Sequence, residues 1–147
     1  MTRQRSDWVE LDGRRFMLSR VLGGPLYTPN DLPVTRTPGA NDGFLCEYAV
    51  RRDGSFWLRS LRVATTDTVL PSLNGKTPTR VFEALPMLNG AFTKVELDEY
   101  EYADVWLPVR LTGQLTLEPL GGGATVELDF EAGALVGRQP QPWWAFI

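Results

Sequence analysis

The sequence predicts a mainly β fold: one antiparallel β-sandwich or partly open barrel of about seven to nine strands, with a single short helix. The first observation behind this is the stretch at residues 106–136. There Val109, Leu111, Leu115 and Leu117 alternate with Arg110, Thr112, Gln114, Thr116 and Glu118. Beyond Gly121, Gly122 and Gly123, the residues Ala124, Val126, Leu128, Phe130 and Ala132 alternate with Thr125, Glu127, Asp129 and Glu131. A period of two puts one face of each strand on a core and the other in water, with the glycines making the reversal. The second observation is the punctuation: Asp12-Gly13, Asp53-Gly54, Asn74-Gly75 and Asn89-Gly90 are hairpin turn signals. Thirdly, no two strand patterns are separated by an amphipathic helix of about ten residues or more, so a doubly wound α/β fold is excluded.

In chain order, Trp8, Val9, Glu10 and Leu11 lead through Asp12-Gly13 into Arg14, Arg15, Phe16, Met17 and Leu18, which reads as a first hairpin. Arg3, Arg5, Arg14, Arg15 and Arg20 read as a solvated strand face rather than a basic docking patch. Residues 23–43 carry four prolines and four glycines and show no periodicity. Structureless loops beyond about 12–15 residues tend to be functional, so this is one of two candidate binding segments; the plainer reading is a connection pinned by Leu26, Tyr27 and Leu32. A second hairpin runs over residues 44–63 through Asp53-Gly54, with Phe44, Cys46, Tyr48 and Val50 on one face. Cys46 therefore reads as a small core residue and not a nucleophile, which would need an accessible thiolate beside a base or cation. Thr77-Pro78 resembles a helix cap followed by proline at the first helical position. Val81, Phe82 and Leu85 would then share one face of a helix at residues 77–85, the only helix expected. The tail at residues 138–147 ends on Trp143, Trp144, Phe146 and Ile147, apolar groups expected to fold back over the sheet or to serve a homodimer.

Residues 94–104 hold the second candidate surface. Glu96, Asp98, Glu99, Glu101 and Asp104 are interleaved with Tyr100 and Tyr102, and Trp106 follows. Carboxylates at this density could bind a cation or pair for acid–base catalysis, but the Asp-x-Asp-x-Asp-Gly spacing of a calcium loop is absent. The plainest reading is a solvated loop or edge strand; of the functional ones, an acidic, aromatic surface for a basic protein partner is the stronger, with tyrosines as anchors and charge steering the encounter.

The bulk numbers narrow the classes. The chain has 147 residues, one cysteine, no histidine and a formal charge of −3. Lack of histidine removes the usual general base near neutral pH and the commonest metal ligand, so no metal or other cofactor is expected. The charge is uneven: 10 basic and 7 acidic side chains in residues 1–62, then 5 and 11 in residues 63–147. Such a balance argues against a nucleic-acid coat, which needs a basic face. A single cysteine suits a reducing compartment, and no apolar run has the length of a membrane span, so a cytoplasmic chain without a membrane partner is expected.

The order of elements resembles a group of small, uncharacterised, β-rich bacterial proteins of the cytosol. The matching pieces are Pro25-Leu26-Tyr27, Tyr48-Ala49-Val50 with Asp53-Gly54 and Phe56-Trp57-Leu58, the turn Leu73-Asn74-Gly75, and the late strand through Leu111-Thr112-Gly113-Gln114-Leu115. Leu111 stands where the group favours tyrosine. The group includes candidate immunity proteins for toxins, and the resemblance implies a binding role without a catalytic residue. The leading expectation is a non-enzymatic protein-binding protein, with an immunity-type toxin inhibitor as its most specific form. A carboxylate-based hydrolase or lyase lining a β cavity, and a self-assembling protein using the tryptophan tail, are the alternatives.

Overall fold

The computed structural model describes residues 7–29, 32 and 43–139. All regular structure among them is β: β1 (Trp8–Leu11), β2 (Arg14–Gly24), β3 (Phe44–Val50), β4 (Phe56–Ala64), β5 (Thr79–Pro86), β6 (Phe92–Tyr102), β7 (Leu107–Pro108), β8 (Thr112–Pro119), β9 (Val126–Glu131) and β10 (Ala134–Gln139). These form one mixed, mostly antiparallel sheet of ten strands that does not close. Its hydrogen-bonded order is β10-β9-β8-β2-β1-β3-β4-β6-β5, with β7 on β4. The one parallel pairing recorded is β1 with β3, through Trp8↔Glu47, Val9↔Tyr48 and Glu10↔Ala49. Most of the 23–43 loop and the tail from residue 140 onward, Trp143, Trp144 and Phe146 included, lie outside the described residues.

The chain divides into two compact units. Among the described residues, one holds 7–28, 46–59 and 106–139, and its core is the alternation that the sequence announces. Leu115 and Leu117 on β8, and Val126, Leu128 and Phe130 on β9, are buried, while the alternating Glu127 and the terminal Glu131 of β9 are exposed. Leu115 sits opposite Leu128 and Leu117 opposite Val126, so the apolar rows meet across the pair. The aromatic centre is Phe56, whose ring lies 5.1 Å from that of Tyr48 and 4.8 Å from that of Phe130. The close approach of β2 to β8 needs glycine on both strands: a β-carbon at Gly113 would meet Leu22 O at 2.0 Å, and one at Gly23 would meet Thr112 O at 2.5 Å. The strand register pairs these two glycines directly, which lets β2 and β8 come together there. Ala132-Gly133, with φ of 50° and 82°, turns β9 into β10, so the last alternating run is shorter than the sequence suggests.

Among the described residues, the other unit holds 29, 32, 43–45 and 60–105. Leu61 and Val63 of β4 are buried with Tyr100, Tyr102 and Val105, and the register sets Leu61 opposite Tyr102 and Val63 opposite Tyr100.

The helix expected at residues 77–85 is not formed; that segment is strand β5, paired antiparallel with β6 from Thr79↔Glu101 to Pro86↔Phe92. The cap-like Thr77-Pro78 also suits a strand entry, because proline drives its predecessor toward extended backbone. Val81 and Phe82 favour strands, and two side chains that would have made the apolar face of the helix, Phe82 and Leu85, stay exposed. Long-range pairing decided the segment, not local periodicity.

Cys46 is buried as expected, and its backbone N–H donates to Asp7 Oδ1 at 2.9 Å. Burial, then the charge of Asp7, pushes the thiol far above its ordinary range. Alkylation of the folded chain at pH 8 should therefore be slow and should become fast in denaturant. Cys46→Ala should lower stability by about 1–2 kcal/mol in a denaturant titration; rapid alkylation of the native state would contradict this placement.

The β3–β4 turn is closed by Arg51 N–H to Ser55 O at 3.0 Å and Gly54 N–H to Arg51 O at 2.9 Å. Asp53 accepts from Ser55 Oγ and the Ser55 N–H, and these bonds hold its carboxyl below the usual range. A folded value below the unfolded one means the contribution is complete above about pH 4 and is lost as pH falls through the folded value. Asp53→Asn should flatten that acid limb of the stability–pH curve, as followed by thermal melts.

Candidate functional site

β6 positions most of the acidic and aromatic candidates, and its alternation sorts them. Tyr100 and Tyr102 point to the side of Leu61 and Val63, where Tyr102 is wholly buried and donates its hydroxyl to Pro71 O at 2.7 Å. Burial raises the Tyr102 phenol above its ordinary value. Neither ring is a surface anchor, which corrects the sequence reading: Glu-Tyr-Glu-Tyr is itself a period-two pattern with its large rings turned inward.

The carboxylates on the strand are met by arginines of the same unit. Arg62, opposite Glu101 in the register, lies 3.8 Å from both Glu99 and Glu101. Arg80 lies 3.2 Å from Glu96 and 3.2 Å from Asp98. Its Nε also donates to Leu97 O at 3.0 Å, and its guanidinium stands 5.8 Å from the Tyr100 ring centre. The strand pairing slips at this point, from Arg80↔Tyr100 to Phe82↔Glu96, leaving three β6 residues facing one. Arg80 thus fills a bulge, bonding its exposed carbonyl and the two flanking acids. The charge of the clustered carboxylates, expected to steer a basic partner, is offset within the chain. No group of three or more metal-capable side chains is gathered among the described residues.

Asp104 is exposed, in left-handed backbone with φ of 52°, and its N–H donates to Ser60 Oγ at 3.3 Å. Trp106 belongs to the other unit. There the Arg51 guanidinium lies 4.5 Å from its ring centre and 4.6 Å from that of Trp57, with Arg59 at 5.6 Å. The two indoles meet edge-on at 6.5 Å, and Arg59 is paired with Glu10. A half-exposed tryptophan capped by arginines is a cation–π array on the outer strand face.

The feature that the sequence reading missed lies beyond the bulge. Six large apolar side chains, Phe82, Leu85, Met87, Leu88, Phe92 and Val95, are exposed on the β5–β6 ribbon; Leu88 is fully so and Phe92 is 71% exposed. The signal was present in Leu85-Pro86-Met87-Leu88-Asn89-Gly90-Ala91-Phe92, an Asn-Gly turn wrapped in apolar residues; the turn was expected, but with residues 77–85 read as a helix it had no strand on its first side. Comparison with protein-family models, curated proteins and solved structures finds no match.

Arg80→Ala should cost about 1–2 kcal/mol, the value of a partly exposed charge-assisted bond to a carbonyl together with its ion pairs. Arg62→Ala, which loses only surface pairs, should cost less than about 1 kcal/mol and should show the larger relative dependence on salt. Chemical denaturation at two ionic strengths checks both.

Proposed function

We propose that the protein is a non-enzymatic binding protein whose docking element is the β5–β6 ribbon. The observation that supports this is the set of six exposed large apolar side chains between Phe82 and Val95. Burying each would be worth about 1.5–3 kcal/mol. Leaving them in water forgoes on the order of 10 kcal/mol, comparable to the stability of a whole domain. Contiguous apolar surface of that kind marks a place where something else binds.

An immunity-type inhibitor acting through the acidic strand is the more specific form of a binding role. Its surface at Glu96, Asp98, Glu99 and Glu101 is already matched by Arg62 and Arg80, and its tyrosines are core residues. The ribbon is therefore the better-supported contact, and the acids flank it. The partly open barrel form of the expected fold finds support in the first unit described above. There Ser55 bridges Ala134, and Leu135 N–H donates to Gly54 O at 2.8 Å, tying the β3–β4 turn to the β9–β10 hairpin.

Produced in its own cell, the wild-type chain should co-fractionate with a larger species, whether protein complex or membrane. The double variant Leu88→Asp with Phe92→Asp should run as the free chain while keeping the wild-type melting temperature within about 2 °C, because exposed sites contribute little to folding. Identical fractionation of the two proteins would defeat the proposal.

A further inference from the structure

Resting on the reading of the ribbon as the docking element, we propose that what it docks into is a lipid surface: the ribbon tip inserts shallowly into the interface of a phospholipid bilayer. Three observations carry this. The first is that the tip is apolar all round. In the β5–β6 register, Pro86 and Phe92 share one face, Leu85 lies on the other, and Met87 and Leu88 cap the turn; Phe82 and Val95 continue these faces on the root side of Glu83 and Lys94. A flat protein partner would cover one face and leave the other in water, whereas acyl chains surround an inserted element on every side.

The second observation is charge. Residues 84–93 contain no charged side chain, and Glu83 and Lys94 bound the segment on the two strands, with Lys94 paired to Ala84. From Ala84 to Met87 the strand advances about 10 Å at roughly 3.4 Å per residue. That matches the depth of about 5–10 Å at which interfacial elements sit, with the bounding charges held at the headgroup level.

Backbone hydrogen bonding is the third. Shallow insertion leaves the outward backbone groups of the β5 and β6 edges at the wet headgroup level, whereas at the apex backbone groups must find partners within the protein. At the turn Met87 N–H donates to Ala91 O at 2.7 Å, Gly90 N–H to Met87 O at 3.1 Å, and Ala91 N–H to Asn89 Oδ1 at 3.0 Å. Strand addition by a second copy along β5, which ends the hydrogen-bonded order, is opposed by Glu83 and by Pro86, which lacks a donor. No helix among the described residues is long and apolar enough to cross a membrane; a tip that dips into one leaflet requires no span, so the composition that argues against a spanning segment is compatible with it.

The opposite charges of Glu83 and Lys94 cancel at the rim, so insertion is apolar and not electrostatic. The purified chain should co-sediment with phosphatidylcholine vesicles, and raising the salt from 0.1 to about 0.5 M should not release it. Leu88→Asp and Phe92→Asp should each reduce partitioning by about tenfold or more, while Val69→Asp, at an exposed valine elsewhere in the unit, should leave it unchanged. A second measurement uses Leu88→Cys in a Cys46→Ala background, labelled with an environment-sensitive dye, whose emission should shift to the blue on adding the same vesicles. Absence of vesicle binding, or binding that survives both aspartate variants, overturns the lipid assignment. If vesicles are ignored but a soluble complex or self-association depends on Leu88 and Phe92, the lipid assignment falls and the ribbon stays the docking element. If neither vesicles nor complexes respond to the tip, both readings fall.

Discussion

The structure around β8 and β9 depends on one residue that is tied down on every side. Phe56 donates its N–H to Gly133 O at 3.0 Å and accepts from Val109 N–H at 3.0 Å, while its ring stacks on Tyr48 and tilts against Phe130. Backbone and side chain thereby fix the start of β4 against β7, β3, the β9–β10 turn and β9. A buried aromatic ring contributes a large apolar area, and its two backbone bonds set the direction of that contribution. The flanking turn carries the same constraint outward: Asp53 holds Ser55, Ser55 accepts the Trp57 indole N–H at 2.7 Å, and Arg51 lies over Trp57 and Trp106.

In the unit built on β5 and β6, the corresponding constraint is Arg80. An extra pair of residues in β6 would leave a carbonyl without a strand partner, and the guanidinium satisfies Leu97 O while its charge is shared between Glu96 and Asp98. The acidic cluster is thus part of how a bulge is closed. Arg62 does the same work on the opposite face of the strand, against Glu99 and Glu101. A density of like charge that looks functional in one dimension becomes structural once the two cations from β4 and β5 are brought alongside.

Legibility followed from how local the deciding physics was. The buried rows Leu115, Leu117, Val126, Leu128 and Phe130 could be read from alternation alone, since a strand with one wet face must show it. The Asp12-Gly13 and Asp53-Gly54 hairpins were equally plain, because their backbone angles demand those residues. β5 was not legible: Thr77-Pro78 and the spacing of Val81, Phe82 and Leu85 satisfy a helical template, and only pairing with β6, set by contacts more distant in sequence, decides otherwise. The acidic candidates were found as a cluster, but their arginine partners sit 16 or more residues away, at Arg80 and Arg62, and composition cannot show which cation faces which acid. Ala132 in left-handed backbone gave no signal either, since alanine is not a turn residue by preference.

β6 changes character along its length, and the bulge is where it changes. On the side of Tyr100 and Tyr102 its large side chains face a core; on the side of Phe92 and Val95 they face solvent. A two-stranded ribbon is marginal in water when isolated, so a displayed tip needs a firm root. Arg80 supplies it, because the residue that repairs the bulge also clamps β5 to β6 at the boundary between the two regimes. The acids around it have a second consequence: they keep the root soluble, so that apolar exposure is confined to the part of the hairpin that projects beyond them. Core packing, bulge repair and the display of Leu88 and Phe92 are then successive demands on one pair of strands.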